Sequence, residues 1–123
     1  MINESIVTMS VITQRGDSGE TDLMYGRRVS KTHPRIVANG SLDELNAVLG
    51  VARTQARLED FANLESRLST LQNQLILAMG EIATAIEDRP RYAKDGFATL
   101  SPKEHESLTN EAKQLEQDLD SRF

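Results

Sequence analysis

Cysteine is absent from this sequence of 123 residues. That excludes a disulfide scaffold, a thiolate metal site and a cysteine nucleophile. Tryptophan is also absent, and three Phe and two Tyr are all the aromatics it has. Its core must therefore be built from Leu, Ile, Val and Ala. Only two His are present, His33 and His105, too far apart in sequence to form a histidine metal cage. No run approaches the 18 or so apolar residues of a membrane span. Before Arg15 the chain carries Glu4 and neither Lys nor Arg, unlike a secretory leader, so a cytoplasmic protein is expected. Nothing resembles a Gly-x-Ser-x-Gly elbow or a Ser–His–Asp set.

The charge present is unevenly placed. The whole chain has net charge −5, with 14 basic and 19 acidic residues. Residues 1–40 are nearly balanced, and the excess acid lies beyond them. Arg27, Arg28, Lys31 and Arg35 lie between Leu23 and Gly40 with no acid among them. A net-acidic chain is a poor partner for nucleic acid. A short basic stretch around Gly26 and Pro34 suits a small anionic ligand. It is equally a solvated loop, or a set of partners for acidic helix residues.

Two textures meet near residue 40, within a single domain. The β-branched stretch 5–13 reads as one strand, and 16–40 as loop. Ser41 and Glu44 have capping-box spacing, ahead of Leu42, Leu45, Leu49, Ala52 and Ala56 at helical period. A second helix is expected from about Asp60. Phe61, Leu64, Leu68, Leu71, Leu75, Met79, Ile82 and Ile86 line it, and Arg89-Pro90 ends it. Residues 90–100 form a connection. Ser101, Pro102 and Glu104 then open a third helix with Leu108, Ala112, Leu115 and Leu119 on one face. The expected fold is all-α: three helices over 41–123, preceded by an irregular arm over 1–40.

Two segments could carry chemistry. In Thr13-Gln14-Arg15-Gly16-Asp17-Ser18-Gly19-Glu20-Thr21, two glycines and flanking hydroxyls offer backbone N–H groups to a phosphate. Asp-Ser-Gly is also ordinary turn chemistry, and no Walker Lys follows. Asp43 and Glu44 stand in the first turn of the expected helix. Capping accounts for Glu44 and leaves Asp43 free for a second role. His105 reads as a boundary residue of the third helix, and His33 as a loop residue.

The order of these signals is more specific than any one of them. Thr13-x-x-Gly16-Asp17-x-Gly19-x-Thr21-x-Leu23, Gly26-x-Arg28-Val29-x-Lys31, Pro34-Arg35, then Gly40-x-x-Asp43-Glu44-Leu45-Asn46 and Gly50 follow in turn. Together they resemble the N-terminal signature of the PduO-type ATP:corrinoid adenosyltransferases. The resemblance implies helical-bundle subunits assembled as trimers, with ATP at subunit interfaces. It implies transfer of the 5′-deoxyadenosyl group of ATP to a Co(I) corrinoid, with Mg²⁺ present and triphosphate released. Cobalt would be the nucleophile, so no catalytic side chain and no protein metal site are assigned. By position, Thr13, Gln14, Arg15 and Gly16 would line the ATP loop, and Gly19 would let the backbone approach. Thr21 and Asp22 would continue that loop, and Lys31 would meet the phosphates. Asp43 would pair with an Arg of a neighbouring subunit. The family pattern continues past Phe123 with two more helices, the first bearing Arg-Arg-x-Glu-Arg. A second reading is therefore a truncated, non-catalytic helical assembly module that still binds ATP.

Overall fold

The computed structural model describes residues 11–121. The strand expected over 5–13 thus lies largely outside the described residues, and 11–13 are not in a strand. Among the described residues, the first regular elements are two short antiparallel strands, β1 (Glu20–Asp22) and β2 (Arg28–Ser30), paired through Thr21 and Val29. Four α-helices follow among the described residues: α1 (Pro34–Leu58), α2 (Ala62–Ile82), α3 (Arg89–Lys94) and α4 (Pro102–Asp120). The expected loop over 16–40 therefore holds a hairpin and the first turns of a helix.

Helix α1 starts seven residues before Ser41. Pro34 opens it, where a missing N–H leaves nothing unsatisfied. The His33 ring caps it, Nδ1 accepting from the Arg35 N–H at 3.2 Å. Ser41 lies inside the helix and donates its hydroxyl to the Val37 carbonyl at 3.3 Å. The capping box expected at Ser41 and Glu44 does not form, because the backbone N–H groups it would satisfy are already within the helix.

α1 and α2 pack as an antiparallel pair, and a polar ladder marks their register. Asn39, Asn46 and Arg53 are seven residues apart along α1, facing Met79, Gln72 and Glu65 at the same spacing on α2. Asn39 Nδ2 donates to the Met79 carbonyl at 3.1 Å, and Gln72 Nε2 to the Asn46 carbonyl at 3.1 Å. Arg53 reaches Gln72 Oε1 at 3.4 Å and Glu65 at 3.8 Å. Gly50 leaves room for this: a Cβ there would lie 3.3 Å from Gln72 Nε2. These polar contacts accompany the apolar packing in the observed register, in which Asn39 Oδ1, Asn46 Oδ1 and Arg53 Nε are buried without a hydrogen-bond partner among the described residues.

α2 stops at Ile82, short of the expected Ile86. Thr84 is fully buried and its hydroxyl donates to the Gly80 carbonyl at 2.8 Å. Ala85 is extended, and Ile86 points outward, 67% exposed. A 3-10 turn, Ile86–Asp88, leads into α3, so Pro90 begins a helix instead of ending one. Tyr92 buries α3 against Gly80 and stacks on Phe97 with ring centroids 4.7 Å apart.

α4 begins as expected. Ser101 accepts from the Lys103 N–H at 3.2 Å, and Glu104 reaches back to the Ser101 N–H at 2.8 Å. The Ser101 hydroxyl also contacts the Glu104 carboxylate. Its stripe of Leu108, Leu115 and Leu119 remains roughly half exposed. A groove of about 420 Å³ separates it from α1 and α2, with Leu45, Leu71, Leu75 and His105 among its walls. His105 is thus the boundary residue anticipated. Ser101→Ala should cost about 1 kcal/mol through the lost cap, read as a lower urea midpoint with an unchanged slope.

Candidate functional site

The candidate site is built by the hairpin and the turn before it. Asp17 N–H donates to the Gln14 carbonyl at 3.2 Å, and Gly19 N–H to the Gly16 carbonyl at 3.3 Å. Gly19 takes φ +83° and Gln14 φ +58°. Glycine adopts such angles freely, whereas glutamine is strained there. The Lys31 N–H then closes the turn onto the Gly19 carbonyl at 2.9 Å. The chain from Gly16 to Gly19 is thereby stitched to the residue just past β2.

An open depression of about 320 Å³ results, lined by Thr13, Arg15, Gly16, Glu20, Thr21, Asp22 and Arg28. Five of the residues expected to meet a nucleotide, Thr13, Arg15, Gly16, Thr21 and Asp22, are therefore brought together. Gln14 and Gly19 shape the turn without lining the depression. Lys31 lies beside Gly16, its Nζ 3.1 Å from where a Cβ on Gly16 would sit. Only a residue without a side chain leaves that space to the lysine.

The basic residues have distinct roles. Arg15 pairs with Asp22 at 3.2 Å. Arg28 pairs with Asp22 at 3.2 Å and Glu20 at 3.7 Å, and donates to the Arg15 carbonyl at 2.9 Å. Arg35 donates to the Ile82 carbonyl at 2.9 Å, holding α1 to the end of α2. Arg27 leaves the hairpin altogether and meets Asp88 at 2.9 and 3.1 Å. That hydrogen bond holds the Asp88 carboxyl below the usual carboxylate range and raises the Arg27 guanidinium. Lys31 is exposed and, among the described residues, has no ion pair. Of the four cations in the basic stretch, it is the one available to an incoming anion.

Glu20 and Arg28, which belong to the candidate segments but were given no ATP role by the resemblance, also line the depression. Their signal was present: Glu20 and Asp22 share one face of a strand, and Arg28 stands across from Asp22. That pattern becomes legible only when the hairpin register is known. Asp43 is exposed on α1 and, among the described residues, is in no ion pair. Among the described residues, no group of three or more His, Cys, Asp or Glu could hold a metal ion, and no helix is long and apolar enough to cross a membrane.

The described residues thus form a helical pair carrying a glycine-turned hairpin, with Lys31 beside a polar depression. The chain belongs to the cobalamin adenosyltransferase family, whose model matches residues 11–122. It is 44% identical over 79 residues to the corrinoid adenosyltransferase PduO of Salmonella typhimurium, covering 64% of this chain and 23% of that protein. It is 29% identical over 108 residues to the corrinoid adenosyltransferase of Bacillus subtilis, covering 87% of this chain and 55% of that one. The fold matches a variant PduO-type ATP:corrinoid adenosyltransferase from Lactobacillus reuteri, complexed with cobalamin and ATP. The TM-score is 0.70 at 22% identity, over 88% of this chain and 55% of that chain. The chain thus spans between about a quarter and just over half the length of these relatives.

Proposed function

We propose that this chain acts in ATP-dependent corrinoid adenosylation, moving the 5′-deoxyadenosyl group of ATP to a Co(I) corrinoid substrate and releasing triphosphate. The observation that carries this reading is Lys31, an unpaired cation fixed beside the Gly16 and Gly19 turn. The nucleophile belongs to the corrinoid, so the protein's task is to hold the nucleotide and support the leaving group's charge. Lys31 would meet the phosphates as a point charge. Thr13, Gln14, Arg15 and Gly16 would surround them, and Thr21 and Asp22 would extend the contact. Gly19 would let the backbone come close. Such catalysis is positioning plus electrostatic support in a preset frame.

Mg²⁺ would arrive on the ATP phosphates. The depression suits that better than a protein-held ion, because Asp22 and Glu20 already face Arg15 and Arg28. A homotrimer is the assembly we infer, with Asp43 at the subunit interface. Support comes from an apolar stripe on α1: Val37, Val48, Val51 and Leu58 share one face and are all more than half exposed. A cytoplasmic setting completes the proposal.

The test is incubation of the purified chain with ATP, Mg²⁺ and reduced corrinoid, with the adenosylated product followed by absorbance. Product formation is the expected result. ATP binding in calorimetry without product would instead make the chain a nucleotide-binding module. A monomer without ATP affinity would remove both readings.

A further inference from the structure

The hairpin that carries the nucleotide residues has almost no core of its own. Its strands are three residues each, and a two-stranded ribbon of that size is not stable alone. What fixes it is the connection between the strands. Leu23 buries its side chain. The Met24 N–H donates to the Ala83 carbonyl, just past α2, at 2.9 Å. Beyond that, two side chains of this connection reach the α3 region. Arg27 grips Asp88 with both arms of its guanidinium, Nε to Oδ2 at 2.9 Å and Nη2 to Oδ1 at 3.1 Å. The Tyr25 hydroxyl donates to Asp95 Oδ2 at 2.9 Å, and the Arg91 guanidinium lies 4.0 Å over its ring.

Two features set these contacts apart from ordinary surface pairing. A lone exposed ion pair contributes little, but a bidentate Arg–carboxylate fork has directional geometry that resists sliding. Tyr25 also sits at φ +64°, where a bulky residue is strained. Such strain persists when surrounding contacts over-determine the conformation, and here the contacts are Asp95 and Arg91. The anchor is itself rigid, since Tyr92 ties α3 to α2.

We propose that Arg27–Asp88 and Tyr25–Asp95 form a clasp that positions the hairpin on the bundle, making these four residues positioning residues for the nucleotide site. The clasp grips the loop end of the hairpin, while Gly16, Gly19 and Lys31 occupy its open end. Because the ribbon is only three residue pairs long, fixing its loop end also sets where its open end lies. This inference rests on the reading that the open end receives ATP.

The experiment compares wild type, Asp88→Asn and Tyr25→Phe in the full chain. The first reading is the dissociation constant for MgATP by calorimetry, in a double-mutant cycle with Lys31→Ala. Asp88→Asn is expected to weaken ATP binding about tenfold, and the double variant to bind no worse than Lys31→Ala alone. A general loss of stability would give additive effects instead. The second reading needs no nucleotide: amide exchange over 20–31 should quicken in Asp88→Asn and Tyr25→Phe while the α1 and α2 amides keep their protection. Wild-type ATP affinity in both variants, or additive losses in the cycle, would overturn the clasp's role at the site. Wild type that binds no ATP would overturn the nucleotide reading, and unchanged exchange over 20–31 would overturn the clasp itself.

Discussion

Lys31→Ala should lower ATP affinity and adenosyl transfer by about 10²-fold, the scale of losing one preset charge-stabilising donor. The other three cations of the basic stretch already have partners: Arg27 on Asp88, Arg28 on Asp22 and Glu20, and Arg35 on the Ile82 carbonyl. None can replace Lys31 without abandoning the contact it already makes. The fold should survive, because the Lys31 side chain is exposed and carries no ion pair among the described residues, and its backbone bond to Gly19 is independent of the ammonium. The circular dichroism melt is therefore expected to stay within a degree or two of wild type. Lys31→Arg should recover only part of the loss, since a longer planar group must fit beside Gly16. Unchanged ATP affinity in Lys31→Ala would sink the assigned role.

Gly80→Ala should destabilise the chain by about 2 kcal/mol, as overpacking does in a filled interior. The added Cβ would lie 2.5 Å from the Tyr92 hydroxyl and 3.6 Å from its Cζ. Alanine favours a helix over glycine by about 1 kcal/mol, so the clash must exceed that gain. It should, because Tyr92 is buried and its ring is held on Phe97. Removing the hydroxyl removes the collision while the remaining ring contact is ordinary. Tyr92→Phe in the Gly80→Ala background is thus expected to restore most of the loss, measured by urea denaturation. No recovery would mean that Gly80 is required for another reason. Because Tyr92 seats α3, and α3 with the turn before it carries the clasp, Gly80→Ala should also loosen the hairpin.

Some elements were legible because their physics is local. α4 opens where Ser101, Pro102 and Glu104 cap it, and most of α2 follows from the leucine period. The start of α1 was misplaced because Ser41 and Glu44 imitate a cap perfectly well in sequence, whereas His33 before Pro34 is an uncommon one. The end of α2 was overrun because Ile86 keeps the period while the backbone has already turned at Ala85. Periodicity records side-chain type and is blind to a chain that turns away from the stripe. Pro90 misled for a related reason, since proline suits the first turn of one helix as well as the end of another.

The site divided along the same line. The ordered glycines, Lys31 and the Asp43 segment were singled out by resemblance to a family, since such a pattern needs no knowledge of contacts. The fate of each charge could not. Arg27 meets Asp88 across 61 residues, and Tyr25 meets Asp95 across 70. Nothing in the neighbouring residues says that Arg27 will be paired and that Lys31, four residues on, will not.

By itself, then, the sequence determined the helical class, the N-terminal cap of α4 and the order of residues around the glycine turn. These follow from propensity and spacing along one segment. Only the tertiary structure decided which cation stays free, where the hairpin sits and in what register α1 meets α2. Those outcomes depend on pairings between distant segments, and a charge or an amide is assigned its role by whatever the fold places opposite it.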